Sequence, residues 1–178
     1  MSKVIVEPPI KCLRLVLVWL LGIVCSSSVF AQQIQIKLLN GRNGHSIKDC
    51  LSIWTSPAQR NPDPFMVRTE KNGIAVLNVS AQSTSPGHQI VAPCKAVPTT
   101  VDIAHAETIG IWADLQVDCR PRNEVGSSPT RTKFYSVDEI LKTGIVTTNT
   151  CGKFKADPVP GELIFFVRHP HWWEALSR

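Results

Sequence analysis

Apolar and polar positions alternate from Gln33 to Leu39, with Ile34, Ile36 and Leu38 on one side and Gln33, Gln35 and Lys37 on the other. A period of two predicts a strand with one face buried. Asn40-Gly41-Arg42-Asn43-Gly44 predicts a turn, because Gly and Asn tolerate positive φ. Cys50 to Trp54 is a second short apolar run, and Pro57, Pro62 and Pro64 place Thr55 to Pro64 in a loop. Lys71-Asn72-Gly73 signals a hairpin, with a strand from Ile74 to Val79 after it. Ser80 to Gly87 is polar, and Gln89 to Ala92 and Thr100 to Ile103 are short strand candidates. Ile109 to Val117 alternates through Ile111, Ala113 and Leu115, which predicts one continuous strand. Arg120 to Thr132 is polar and turn-rich, which predicts a mobile loop.

One helix is signalled, over about residues 136–143. Ser136-Val137-Asp138-Glu139 matches a capping box, Val137, Ile140 and Leu141 share a face, and Gly144 supplies a left-handed C-terminal cap. So short a helix cannot stand alone in water and must pack on a sheet. Glu162 to Arg168 is the last strand. Leu163, Ile164, Phe165, Phe166 and Val167 make it apolar on both faces, so it should be central and covered on both sides. Many short strands, frequent turns and one short helix predict an all-β sandwich. No repeat, heptad or domain-length linker divides it.

The first segment changes the compartment. Lys3, Lys11 and Arg14 precede an apolar run from Leu15 to Val24, followed by Ser26 to Ser28 and Val29-Phe30-Ala31. This is the grammar of a cleaved export signal over residues 1–31. The run is about half the length a spanning helix needs. Cys25 follows it, but Val24 stands where a lipid-modification site takes a small residue. Residues 32–178 then form a single β-sandwich domain with a C-terminal helix-strand extension. The whole chain has 178 residues and a net charge of +5. Cleavage removes three cations and one anion, leaving a balance too mild to argue for nucleic acid.

Cys12 and Cys25 leave with the leader, so Cys50, Cys94, Cys119 and Cys151 remain. An even set in an exported chain implies two disulfides, with three connectivities open. The preferred pairing is Cys119–Cys151, tying the ends of the segment that carries the helix, and Cys50–Cys94. No two of the four have zinc-site spacing.

Gly41 and Gly44 in the first turn, the strand entered at Asp49 to Ile53, and Thr69-Glu70-Lys71-Asn72-Gly73-Ile74-Ala75-Val76-Leu77 resemble a carboxypeptidase regulatory-like domain. This is a transthyretin-like or immunoglobulin-like β-sandwich of exported bacterial proteins. Ser46 stands where that family has Pro, and Cys50 where it has a small residue. The stretch from Tyr135 to Trp173 is similar to a recurrent tail of exported bacterial proteins of unassigned function. The resemblance implies the fold and no activity, since such domains serve mostly as stability or adhesion modules.

Candidate chemistry is sparse. His169-Pro170-His171 could point two imidazoles at one ion, with Glu174 as the nearby carboxylate; such a site needs more ligands, and no metal is expected. Trp172, Trp173 and Arg168 could stack on a sugar ring or cation and donate to it, whereas core packing of the tryptophans is the plainer expectation. Arg120, Arg122, Arg131 and Lys133 gather around one loop and could meet an acidic partner, but Glu124 dilutes them and a solvated loop is the plainer expectation. Asn78-Val79-Ser80 is a glycan sequon within a strand. No nucleophile elbow or phosphate loop is present. The expectation is a non-enzymatic binding or structural module of the cell envelope or extracellular space, without cofactor. Its partner would be another envelope or extracellular protein, or a polysaccharide. The alternative is a carbohydrate-binding module using Trp172, Trp173 and Arg168.

Overall fold

Alternating residues build the strands the period predicts, and the pairing between them builds two sheets. The computed structural model describes residues 32–56, 64–80, 94–104, 106–126, 131–171 and 174. The leader, the candidate strand Gln89 to Ala92, the polar loop after Ser80, most of the proline loop, and Trp172 and Trp173 lie outside the described residues. In chain order the elements are β1 (Gln32–Asn40), β2 (Cys50–Ser56), β3 (Phe65–Arg68), β4 (Ile74–Ser80), a 3-10 turn (Cys94–Ala96), β5 (Thr100–Ala104) and β6 (Thr108–Ala113). There follow β7 (Val117–Asp118), β8 (Phe134–Ser136), α1 (Val137–Thr143), β9 (Ile145–Val146) and β10 (Glu162–Arg168). The described residues fall in one compact unit, Ala31–Arg178.

The first sheet runs β5-β4-β1-β10-β7, with β9 also paired to β10; the second runs β3-β2-β6-β8. This is an all-β sandwich. β1 pairs antiparallel with β4 and parallel with β10, from Gln35↔Glu162 to Asn40↔Val167. The last strand is therefore central, as its two apolar faces require. The helix-strand segment expected as an extension is integral to the sandwich.

Ile34, Ile36, Leu38, Leu163, Phe165 and Val167 from the first sheet meet Leu51, Ile53, Ile109 and Ile111 from the second in one core. Each of these side chains is fully buried. Burying a residue of this size stabilises the fold by roughly 1.5–3 kcal/mol. Ile164 and Phe166 point the other way, into a second apolar cluster with Cys119, Leu39, Val146, Cys151 and Phe154. The irregular segment after β9 covers that outer face. Asn149 ties it down, its amide donating to Gly41 O at 2.7 Å and Phe154 O at 2.9 Å. The Phe154 ring lies against Gly44, where φ of 73° already demands glycine.

Both disulfides form as preferred from the sequence, Cys50–Cys94 and Cys119–Cys151, with Cα separations of 5.7 and 5.2 Å. The first fastens the 3-10 turn to β2. Just beyond it, Pro98 O accepts from Arg68 N in the second sheet and Thr99 O from Val76 N in the first, at 2.8 and 2.9 Å. This short segment closes one side of the sandwich. On the other side α1 passes from β8 to β9, burying Val137 and Ile140 in the core. Ser136 caps it by accepting from Glu139 N at 3.3 Å. Gly144 has a positive φ of 75° but ψ of 159°, an extended exit rather than the left-handed cap expected.

Two turns differ from expectation. Lys71-Asn72-Gly73 keeps a tight loop, with Glu70 N donating to Ile74 O at 2.8 Å. The strands flanking it nevertheless part into different sheets: β3 pairs with β2, and β4 pairs with β1. It is an arch between layers, not a hairpin. The alternation from Ile109 to Val117 is also cut. β6 stops at Ala113, and β7 begins at Val117 in the opposite sheet. Buried Asp49 makes that break possible. Its carboxylate accepts from Leu115 N at 3.0 Å and Gln116 N at 3.1 Å, replacing the ladder partners those amides give up.

Candidate functional site

Arg168 ends β10, and its side chain is committed within the chain. Its guanidinium grips Glu174 with Nη1 to Oε2 at 2.8 Å and Nη2 to Oε1 at 2.7 Å, and Nη1 also donates to His169 O at 3.1 Å. His171 N donates to Glu174 Oε2 at 2.8 Å. Arg168 and this amide together hold the Glu174 carboxyl down to about 2. The fork holds Glu174 against the end of β10. Glu174, the carboxylate considered for a His169–His171 metal site, is thus held by Arg168. Among the described residues no group of three or more His, Cys, Asp or Glu is placed to hold a metal ion. No described helix is long and apolar enough to cross a membrane.

The expected basic loop comes apart. Arg122 and Arg131 are exposed, and Lys133 pairs with Glu124 at 2.8 Å. Arg120 is not on the surface: its side chain is fully buried between the sheets. Nη2 donates to Asp118 Oδ2 and to Ile111 O, both at 2.7 Å, and Nη1 donates to the Tyr135 hydroxyl at 3.2 Å. Its guanidinium carbon lies 4.6 Å from the Phe165 ring centroid. A charge so enclosed needs a counter-charge and a full set of acceptors; Asp118, two residues away, supplies the first. Arg120 joins the two layers and offers nothing to a partner.

A cationic depression lies elsewhere, at the end of the sandwich where β3 arches into β4. Its volume is about 500 Å³. The arch supplies Thr69, Glu70, Lys71 and Asn72, β3 supplies Arg68, the segment before β2 supplies Lys48, and the side-closing segment supplies Thr99. Gly73 has φ of 74°, and a Cβ there would meet Leu38 O at 2.7 Å, so the arch sits hard against β1. Asn72 Oδ1 accepts from Ile74 N at 3.0 Å and rigidifies the tip. Beneath, fully buried Thr69 accepts from Asp49 N at 2.8 Å through its hydroxyl. Asp49 is itself pushed up to about 6, since burial outweighs its three backbone N–H bonds and Asp114 adds repulsion.

Among the described residues, exposed Lys48 and Lys71 form no ion pair and Glu70 is the one acidic residue of the lining. Arg68 is held by Nη1 donating to Lys95 O at 2.9 Å, while its buried Nε has no hydrogen-bond partner among the described residues. Nothing local in the sequence marks this site. Lys48, the run 68–72 and Thr99 are scattered along the chain, and only the sheet pairing gathers them. The nearest local signal is the Lys71-Asn72-Gly73 turn, which reports chain direction and not a binding surface. No family model, curated protein or solved structure matches this chain.

Proposed function

We propose that the protein is an exported, non-enzymatic binding module of the cell envelope or extracellular space. The observation that carries this is the pairing of all four cysteines among the described residues in two disulfides. Structural disulfides persist in oxidising compartments and are rare where glutathione keeps thiols reduced. The basic, apolar, small-residue order of residues 1–31 agrees with that location. The resemblance to carboxypeptidase regulatory-like domains points to the same kind of module, and the open cationic depression gives it a surface to work with.

The test has two readouts. Edman sequencing of the protein from the exported fraction should start at Gln32, and Ellman titration of the denatured, unreduced protein should find no thiol. Four titratable thiols overturn the export reading. Capture by the tagged, cross-linked chain from its own envelope extract should recover one reproducible partner; recovery of nothing overturns the binding role.

A further inference from the structure

Resting on the binding-module reading above, we propose that the depression beside the β3–β4 arch captures an acidic peptide segment of a partner protein. The segment would seat one carboxylate on Arg68 and an aliphatic side chain against Leu115.

Three observations converge on this chemistry. Lys48 and Lys71 are exposed cations without an ion-pair partner among the described residues, on the rim of one depression with Arg68. Unneutralised charge of one sign around a concavity raises the local concentration of the opposite sign and speeds encounter. Second, the Arg68 guanidinium is fixed through Nη1 on Lys95 O, and its Nη2, unlike the buried Nε, is reachable and has no hydrogen-bond partner among the described residues. A carboxylate arriving on Nη2 makes a charge-assisted hydrogen bond there.

Third, Leu115 is 52% exposed, one of two large hydrophobics so exposed among the described residues. It lies outside the lining of the depression, on the break between β6 and β7, which is tied to Asp49, the residue after Lys48. A ligand that uses both features needs acid and aliphatic groups a few residues apart, which a peptide supplies. A sugar polymer is disfavoured because no aromatic ring among the described residues lines the depression to stack on it. Glu70 on the rim works against a uniform polyanion and leaves a carboxylate for a peptide N–H or a basic neighbour.

The test uses the mature oxidised protein and a short fluorescein-labelled peptide of Glu, Asp and Leu, read by anisotropy. Saturable binding is expected, weakening as salt rises through the screening range. The Lys48→Glu/Lys71→Glu pair should bind about tenfold more weakly, and Leu115→Ser about threefold more weakly. Glu70→Gln should bind more tightly. All four positions are exposed, so unchanged melting curves separate lost binding from lost fold. Arg68→Gln, which removes the charge, should also weaken binding. No saturable binding, equal affinity in all variants, or binding of a sulfated polysaccharide that the peptide cannot displace overturns the proposal. A partner captured from the envelope extract whose binding is indifferent to Lys48 and Lys71 overturns this site while leaving the binding-module reading intact.

Discussion

Removing the carboxylate of Asp118 should unfold this sandwich more readily than any comparable change of surface charge. The Arg120 side chain has no exposure and that of Asp118 has 4%. The pair meets through Nη2–Oδ2 at 2.7 Å and Nε–Oδ2 at 3.0 Å. Arg120 meanwhile spans the layers, with Ile111 and Tyr135 from the second sheet and Asp118 and Phe165 from the first. At a charge separation of about 4 Å and an effective dielectric of about 20, the attraction is about 4 kcal/mol. In Asp118→Asn the guanidinium stays buried with that attraction gone, and breaking such a pair costs about 3–5 kcal/mol. With a urea slope of about 2 kcal/mol/M for a domain of this size, the midpoint should fall by about 1.5–2.5 M. The assay is equilibrium urea unfolding with the disulfides intact, followed by tryptophan fluorescence. The double variant Asp118→Leu/Arg120→Met should recover most of the loss, because it removes the stranded charge along with its partner. A midpoint shift below about 0.5 M would place the pair among exposed ion pairs and refute its burial as the source of the effect. A double variant as unstable as the single one would refute the desolvation argument.

Other predictions follow from the same structure. Asp49 is raised from 3.8 to about 6 in the folded protein, so the folded state holds a proton that the unfolded state has released between those values. That contribution is complete below pH 3.8 and is lost as pH rises to 6, a slope worth about 2–3 kcal/mol that Asp49→Asn should abolish in unfolding measured across this range. Cys50→Ala/Cys94→Ala opens a loop of sequence separation 44, and should lower stability by about 3–4 kcal/mol in urea unfolding, with the second bridge intact. Gly44→Ala forces a side chain into the Phe154 ring at φ of 73°; a loss of about 2 kcal/mol or more in thermal unfolding is expected, and a neutral result would show that the covering segment yields. Ser136→Ala should cost about 1 kcal/mol through the lost cap on α1.

Local signals were legible where the chemistry is local. The alternation at Ile34, Ile36 and Leu38 marked a strand and its buried face, and Leu163 to Val167 marked a strand covered on both sides. Ser136 and Glu139 marked where α1 begins. The unbroken alternation from Ile109 to Val117 misled, because period two reports which face is apolar and not whether the ladder continues. Asp49, far earlier in the chain, ends that ladder by accepting the amides of Leu115 and Gln116. Arg120 misled for a related reason. An arginine in a polar stretch reads as a solvated cation, and its burial follows from Asp118, Ile111, Tyr135 and Phe165 meeting around it.

By itself, then, the sequence determined the strand class, the buried face of most strands and the capped helix, since each depends on residues within a turn or two of one another, and the even set of cysteines, which is a count. Tertiary structure alone decided which sheet each strand joins, turning the Lys71-Asn72-Gly73 loop into an arch and seating β10 beside β1. It also decided that Arg120 is a core residue and that Lys48, Arg68, Lys71 and Thr99 share one depression. The physical reason is that β pairing is non-local. A strand's own pattern specifies the face it buries, but its neighbour is chosen by the packing of the whole sandwich, and sites built between neighbours exist only once that choice is made.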